Sequence, residues 1–337
     1  MLPQRGGLGE PALPNFKPKA SNQLQLKLQL KLTTFTFTFT FTFTNNPFPA
    51  SPVDPFYPKI FRCKRPKPSP PKRPFPPPIP TRPAPAWPGN ITKTSPSAGS
   101  SPRKSAPTET ERLAVFRNYR QAWQNALAGR PCDPQYEWIF TPLLRTKAEF
   151  DLPDSLFLDL LSAFEQDIVQ RRYEDFPSVL NYCRRSANPI GRLVLLLHGH
   201  REEELAKLSD AICTALQLAN FWQDVSVDLG KDRIYIPQVD LRRFDVPEAD
   251  LFAGKATPNF RNCLRYQVER AWDLFRAGES LPASLKRPLS WEIRLTWLGG
   301  TKILQKIESQ HYDTLTRRPV VSKLDFLTLG LQAFFGG

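Results

Sequence analysis

Apolar residues recur at three- and four-residue steps through most of the chain from Glu109 onward, and that period predicts helices. Over Glu109–Ala128 the apolar positions are Leu113, Phe116, Tyr119, Trp123 and Ala126, with Gly129 as the stop signal. Ser155–Arg172 repeats the pattern with Leu156, Leu158, Leu160, Leu161, Phe164 and Ile168, after a Pro153-Asp154 start. Leu193–Val227 reads as one or two long helices, and Asn262–Ala277 and Leu289–Leu315 as further helical stretches. Strand signals are nearly absent over 108–337. About 230 residues of this kind can bury a single large core, so an all-α domain is expected there.

Upstream the pattern changes. Leu24–Leu32 alternates Leu with Gln or Lys, and Phe35–Thr44 is a strict Phe-Thr alternation. Period two reads as an amphipathic strand, but a two-residue unit repeated so faithfully is better read as translated simple-repeat DNA. Residues 59–86 are rich in Pro, Lys and Arg, with too little apolar content to offset the entropy of ordering, so disorder is expected.

Charge marks the same boundary. Residues 1–107 hold 16 Lys/Arg against two acids, Glu10 and Asp54, and carry 24 of the 36 prolines. The remainder has 46−16 = 30 basic and 32−2 = 30 acidic residues, a net charge of zero. The basic balance therefore describes the leader, and no nucleic-acid partner is expected for 108–337. Cys63, Cys132, Cys183, Cys213 and Cys263 show no CxxC spacing, which predicts reduced thiols in a cytoplasmic protein. The first residues lack a signal-peptide apolar run, and no stretch of about 18 apolar residues predicts a membrane span.

Candidate chemistry centres on Gln217-Leu-Ala-Asn220-Phe-Trp-Gln-Asp224-Val-Ser-Val-Asp228. Steps of three, four and four put Gln217, Asn220, Asp224 and Asp228 on one helical face. Two carboxylates one turn apart suit a hard cation, and magnesium commonly binds through one or two carboxylates plus substrate phosphates. Alone, such a pair is more often a solvated helix face. Here Leu216, Leu218, Phe221, Trp222 and Val225 make the helix apolar nearly all round, and ionised carboxylates on it need a compensating charge. A second segment, Tyr182 to Arg192, combines adjacent arginines with Gly191, which permits a close approach. It suits a diphosphate, or equally a proline-kinked helix with surface arginines. Asp167 and Arg171 read as a structural ion pair one turn apart. None of His198, His200 and His311 suggests catalysis.

Taken in order, Asp167 to Arg172-Tyr173, Tyr182-Cys183, Gln217-Leu-x-Asn220-x-x-x-Asp224-x-x-x-Asp228 and Arg233-Ile-Tyr235-Ile-Pro237 resemble the squalene/phytoene synthase family of head-to-head prenyl transferases. Within it, Cys183–Arg192 and Asn220–Asp228 resemble the hydroxysqualene synthase branch of hopanoid biosynthesis. Phytoene and eukaryotic squalene synthases carry Val-Ala-Gly in place of Ser186-Ala187-Asn188. The segment from Gly299 to Pro319 also fits that branch. The resemblance implies the helical isoprenoid (terpenoid) synthase fold over 108–337. It also implies loss of diphosphate from presqualene diphosphate with Mg2+ help and capture of the carbocation by water, giving hydroxysqualene.

By position it implies Asp224 and Asp228 as magnesium ligands, supported by Gln217 and Asn220. Arg172 would stabilise the leaving diphosphate and Tyr182 would lie near the reacting carbons. Arg171, Arg185, Asn188, Arg233 and Tyr235 would contact substrate. An isoprenoid diphosphate substrate, peripheral association with a membrane surface and contact with other squalene-pathway enzymes are further implications.

One departure matters. The family uses two aspartate-rich motifs on facing helices, and the first belongs upstream of Glu111. Residues 55–107 contain neither Asp nor Glu. The first helices are thus expected to be missing or replaced, as by a frameshift or a mis-set gene start, leaving a poor enzyme. The competing readings are squalene or phytoene synthesis from two prenyl diphosphates, and an inactive helical member whose basic leader binds an acidic partner.

Overall fold

A computed structural model describes residues 108–131 and 133–335. What was expected of residues 1–107 and of Cys132 lies outside the described residues. The rest is helical, as the apolar periodicity predicts. In chain order the helices are α1 (Glu109–Leu127), α2 (Pro134–Glu149), α3 (Asp154–Val169), α4 (Phe176–Ser186), α5 (Asn188–Leu197) and α6 (Glu203–Gln223). There follow α7 (Val225–Leu229), α8 (Gln238–Arg243), α9 (Glu248–Phe252), α10 (Pro258–Gly278), α11 (Leu289–Ser309) and α12 (Lys323–Phe335).

Local chemistry fixes the helix ends. Thr108 caps α1: its hydroxyl accepts from the Glu111 N–H at 3.2 Å while its own N–H reaches the Glu111 carboxylate at 2.7 Å, a reciprocal capping box. The helix closes before Gly129, whose φ of +67° suits glycine. Asp175 and Ser178 form the same box at the start of α4. Thr257 caps α10 by accepting from the Phe260 N–H.

One stretch resolves the choice between one and two helices, and one helix was not anticipated. The stretch 193–227 is cut by a turn at Gly199, where φ is +82°, so α5 and α6 fold back on each other. Helix α2 was not anticipated, because Pro142 sits inside it and masks its period. Its Asp133 cap and the Trp123–Phe140 contact, with ring centroids 5.2 Å apart, hold it in place.

Helix α6 is the hub: α10 lies along it most extensively, and α4, α5 and α11 pack on its other sides. That explains a helix apolar nearly all round, with Leu218, Phe221 and Trp222 all buried. Gly191 of α5 makes one of these approaches close, since a Cβ there would sit 2.3 Å from Ser209 Oγ and 2.5 Å from Cys213 Sγ. The close approach foreseen at Gly191 is therefore helix against helix. Among the described residues no helix is long and apolar enough to cross a membrane.

One extended contact positions the site. Arg172 and Ile234 form an isolated parallel bridge, with the Ile234 N–H donating to the Arg171 carbonyl at 2.9 Å. The Gln238 N–H likewise donates to the Tyr173 carbonyl. These bonds lay Arg233–Pro237 beside Arg171–Tyr173, joining two segments some sixty residues apart in sequence.

Candidate active site

Asp224 ends α6, with φ −102° and ψ 18°, and α7 begins at once. The four polar positions therefore do not share one unbroken helix. The Asp228 N–H still donates to the Asp224 carbonyl at 2.9 Å, so the one-turn relation of the two carboxylates is kept. Both are buried, Asp224 completely.

Each carboxylate has a cation. Arg318 Nε meets Asp224 Oδ1 at 2.5 Å, and Asn220 Nδ2 donates to Oδ2 at 3.2 Å. Lys231 Nζ lies 3.4 Å from Asp228 Oδ1. Gln223 fastens the Arg318 segment to the end of α6 by donating to the Pro319 carbonyl at 2.7 Å.

Burial pushes the Asp228 carboxyl up to about 6, with Lys231 pulling the other way and Asp224 adding to the rise. Its sign is testable. The unfolded carboxyl ionises first, so the stability due to Asp228 falls as pH rises from about 4 through about 6 and is constant above. Relative to the parent chain, Asp228→Asn should lose this decline. Thermal unfolding of both chains between those pH values checks it.

Beside the pair lies a cluster of tyrosines. Tyr182 is buried and its hydroxyl donates to Asp167 Oδ2 at 2.9 Å. Its ring centroid is 5.8 Å from Tyr173, 6.0 Å from Phe221 and 6.1 Å from Tyr235. Arg233 donates through Nη2 to the Asp167 carbonyl at 2.6 Å and through Nη1 to the Tyr235 hydroxyl at 3.2 Å. A small pocket joins Asp228, Arg233, Tyr235 and Phe221. A second, mainly apolar cavity runs along α6, lined among others by Gly191, Val194, Ile212, Leu216, Gln217 and Ile293. Gln217 thus belongs to this cavity, two turns before Asp224.

Other candidates are engaged elsewhere. Arg172 grips Glu248 at 2.9 and 3.0 Å and Asp232 at 2.8 Å, and also donates to the Asp232 carbonyl. In this arrangement it braces α9 and the turn before Arg233. Arg171 lies 3.6 Å from Glu109 and pairs there, in place of the ion pair expected with Asp167. The reason is that Asp167 turns inward to Tyr182 while Arg171 follows α3 outward. Arg185 binds Ser162 at 3.0 Å and Gln166, and Asn188 accepts from Thr214 at 2.9 Å, tying α5 to α6.

Sequence patterns missed two neighbours and misassigned a third. Arg318 comes from 94 residues away, and only the doublet before Pro319 signals it. Lys231 is masked by an ordinary turn, and Asp167 was assigned to the wrong partner.

Asp224 and Asp228 do not form a closed protein cage, since no group of three or more metal-ligating side chains occurs among the described residues. They do suit an ion shared with diphosphate oxygens, for which two carboxylates suffice. The under-compensated charge that raises Asp228 is what such an ion would relieve.

Comparison with known proteins shows the family and the fold. The chain is 29% identical over 207 residues to the chloroplastic phytoene synthase of Narcissus pseudonarcissus, covering 60% of this chain and 48% of that protein. It thus spans about half that relative's length. It is 33% identical over 193 residues to the hydroxysqualene synthase of Rhodopseudomonas palustris, covering 57% of this chain and 65% of that protein. The crystal structure of squalene synthase HpnC from Alicyclobacillus acidocaldarius superposes with a TM-score of 0.57 at 37% identity, over 63% of this chain and 78% of that one. The described helices therefore have the isoprenoid synthase fold. The squalene/phytoene synthase family profile matches residues 103–325, and the chain belongs to that family.

Proposed function

We propose that the helical domain converts presqualene diphosphate and water to hydroxysqualene and diphosphate. The observation that carries the reading is the buried Asp224–Asp228 pair at the end of α6, set beside the Tyr182 cluster and above an apolar cavity along the same helix. An isoprenoid diphosphate needs both parts: oxygen ligands and cations for its head, and a dry apolar bore for its tail. The hydroxysqualene synthase likeness at 33% identity and the Ser186-Ala187-Asn188 segment support water capture over head-to-head condensation.

In this reading Asp224 and Asp228 hold magnesium, which supplies positive charge to the departing diphosphate. Arg318 and Lys231 each pair with one of the carboxylates and would shift toward phosphate oxygens when the head group enters. Arg233 stays buried beside Asp228 as a fixed positive charge. Tyr182, Phe221 and Tyr235 form one packed aromatic cluster beside Asp228, with Tyr235 stacked on Phe221 at 3.6 Å, and give the reacting carbons an apolar wall. Gln217 and the cavity walls orient the chain and limit water. Membrane-surface association and contact with other squalene-pathway enzymes suit so apolar a product and remain part of the proposal.

The phytoene synthase likeness favours a second reading, condensation of two prenyl diphosphates. Incubating the purified chain with Mg2+ and either presqualene diphosphate or two prenyl diphosphates separates them. Slow formation of hydroxysqualene from the first substrate alone is expected, slow because no first aspartate-rich motif precedes Glu111. A hydrocarbon formed from two prenyl diphosphates would overturn the proposal.

A further inference from the structure

Asp167 is a costly residue where it stands. It is buried in α3, its Oδ2 accepts from Tyr182, and its Oδ1 has no hydrogen-bond partner. Three arginines surround it, yet none makes an ion pair with its carboxylate among the described residues. Arg171 goes to Glu109, Arg185 to Ser162 and Gln166, and Arg233 to the Asp167 main-chain carbonyl. Arg233 Nε is itself buried without a partner. A carboxyl kept in such a place loses hydration that the nearby arginine charges offset only in part, so fold stability alone does not account for it. Groups retained at a cost of this kind cluster where chemistry occurs.

Its one side-chain bond is informative. The Tyr182 ring is wedged among Tyr173, Phe221 and Tyr235, which fixes its plane but not the direction of its O–H. Asp167 fixes that direction. With the phenolic hydrogen tied to Oδ2, the lone pairs of the oxygen are left for whatever else approaches it.

We propose that Asp167 is a positioning residue acting through Tyr182: it holds the phenol as a donor to itself, so that the oxygen offers only lone pairs toward the cation left by diphosphate departure. The inference rests on the proposed reaction and deepens it by naming what sets the tyrosine's polarity.

The test uses the full chain, with Asp167→Ala, Asp167→Asn, Tyr182→Phe and the Asp167→Ala/Tyr182→Phe double variant. Single-turnover diphosphate release from presqualene diphosphate and thermal unfolding are measured on each. Asp167→Ala should slow release by about 10²-fold, the scale of one preorganised hydrogen bond, with KM within a factor of about two. Its unfolding temperature should change little, because the lost Tyr182 hydrogen bond and arginine attraction offset the relief of a desolvated carboxyl. Asp167→Asn, whose amide oxygen accepts the same bond, should recover most of the rate. The double variant should be no slower than Tyr182→Phe alone, as for two groups acting as one unit. Parent-like release by Asp167→Ala, losses that multiply in the double variant, or an Asn variant as slow as Ala would overturn the inference alone. A parent chain that releases no diphosphate would overturn the proposed reaction and this inference with it.

Discussion

Replacing Asp224 or Asp228 with Asn should lower diphosphate release by at least about 10²- to 10³-fold while leaving the helical fold intact. Both carboxylates are buried at the junction of α6 and α7, Asp224 paired with Arg318 and Asp228 with Lys231. Asparagine has nearly the same shape and can keep one hydrogen bond, so packing against Phe221 and Val225 is preserved. What it loses is the charge that would hold a metal against the diphosphate. Asp224→Asn also removes the charge that Arg318 Nε meets at 2.5 Å. Far-ultraviolet dichroism and diphosphate release of each variant check this. Near-parental turnover in both variants would remove the metal assignment.

The second large effect is on stability. Asp240→Ala should destabilise the domain by about 3–5 kcal/mol, the usual result of removing one partner of a buried ion pair. Asp240 of α8 is 3% exposed and accepts from Arg270 at 2.6 Å and Gln267 at 2.9 Å, both on α10. Arg270 is further enclosed, its guanidinium carbon 4.1 Å from the Tyr266 ring centroid and 4.3 Å from that of Phe176. Without Asp240 a half-buried guanidinium loses its counter-charge. Helix α8 follows directly on Arg233–Pro237, so the same contact anchors the strand-like segment that carries Arg233 and Tyr235. A lower urea midpoint at unchanged m-value is expected, and Asp240→Ala combined with Arg270→Met should recover part of the loss. A midpoint unchanged in Asp240→Ala would show that the pair contributes nothing.

How much of this was legible in the sequence depended on the range of the interaction concerned. Helices α1, α3, α6, α10 and α11 followed from apolar spacing, because each buries one face and spacing records it. Helix α2 did not, since Pro142 interrupts its pattern and its docking is tertiary, through Phe140 on Trp123. The Asp224–Asp228 pair was visible because its spacing is local. Arg318 was invisible as their partner, because nothing local ties position 318 to position 224. The pairing of Asp167 with Arg171 failed for a related reason: spacing permits an ion pair, but burial of one member toward Tyr182 decides otherwise. Arg172 showed the reverse, a residue placed at the site by likeness whose charge is taken up by Glu248 and Asp232.

The central claim, that water captures a cation made from presqualene diphosphate, is tested most directly by running the reaction in 18O-labelled water with Mg2+ present. The account predicts hydroxysqualene carrying one 18O atom, formed in step with free diphosphate and lost in Asp228→Asn. A hydrocarbon product, an unlabelled alcohol, or no release of diphosphate from the parent chain would contradict it.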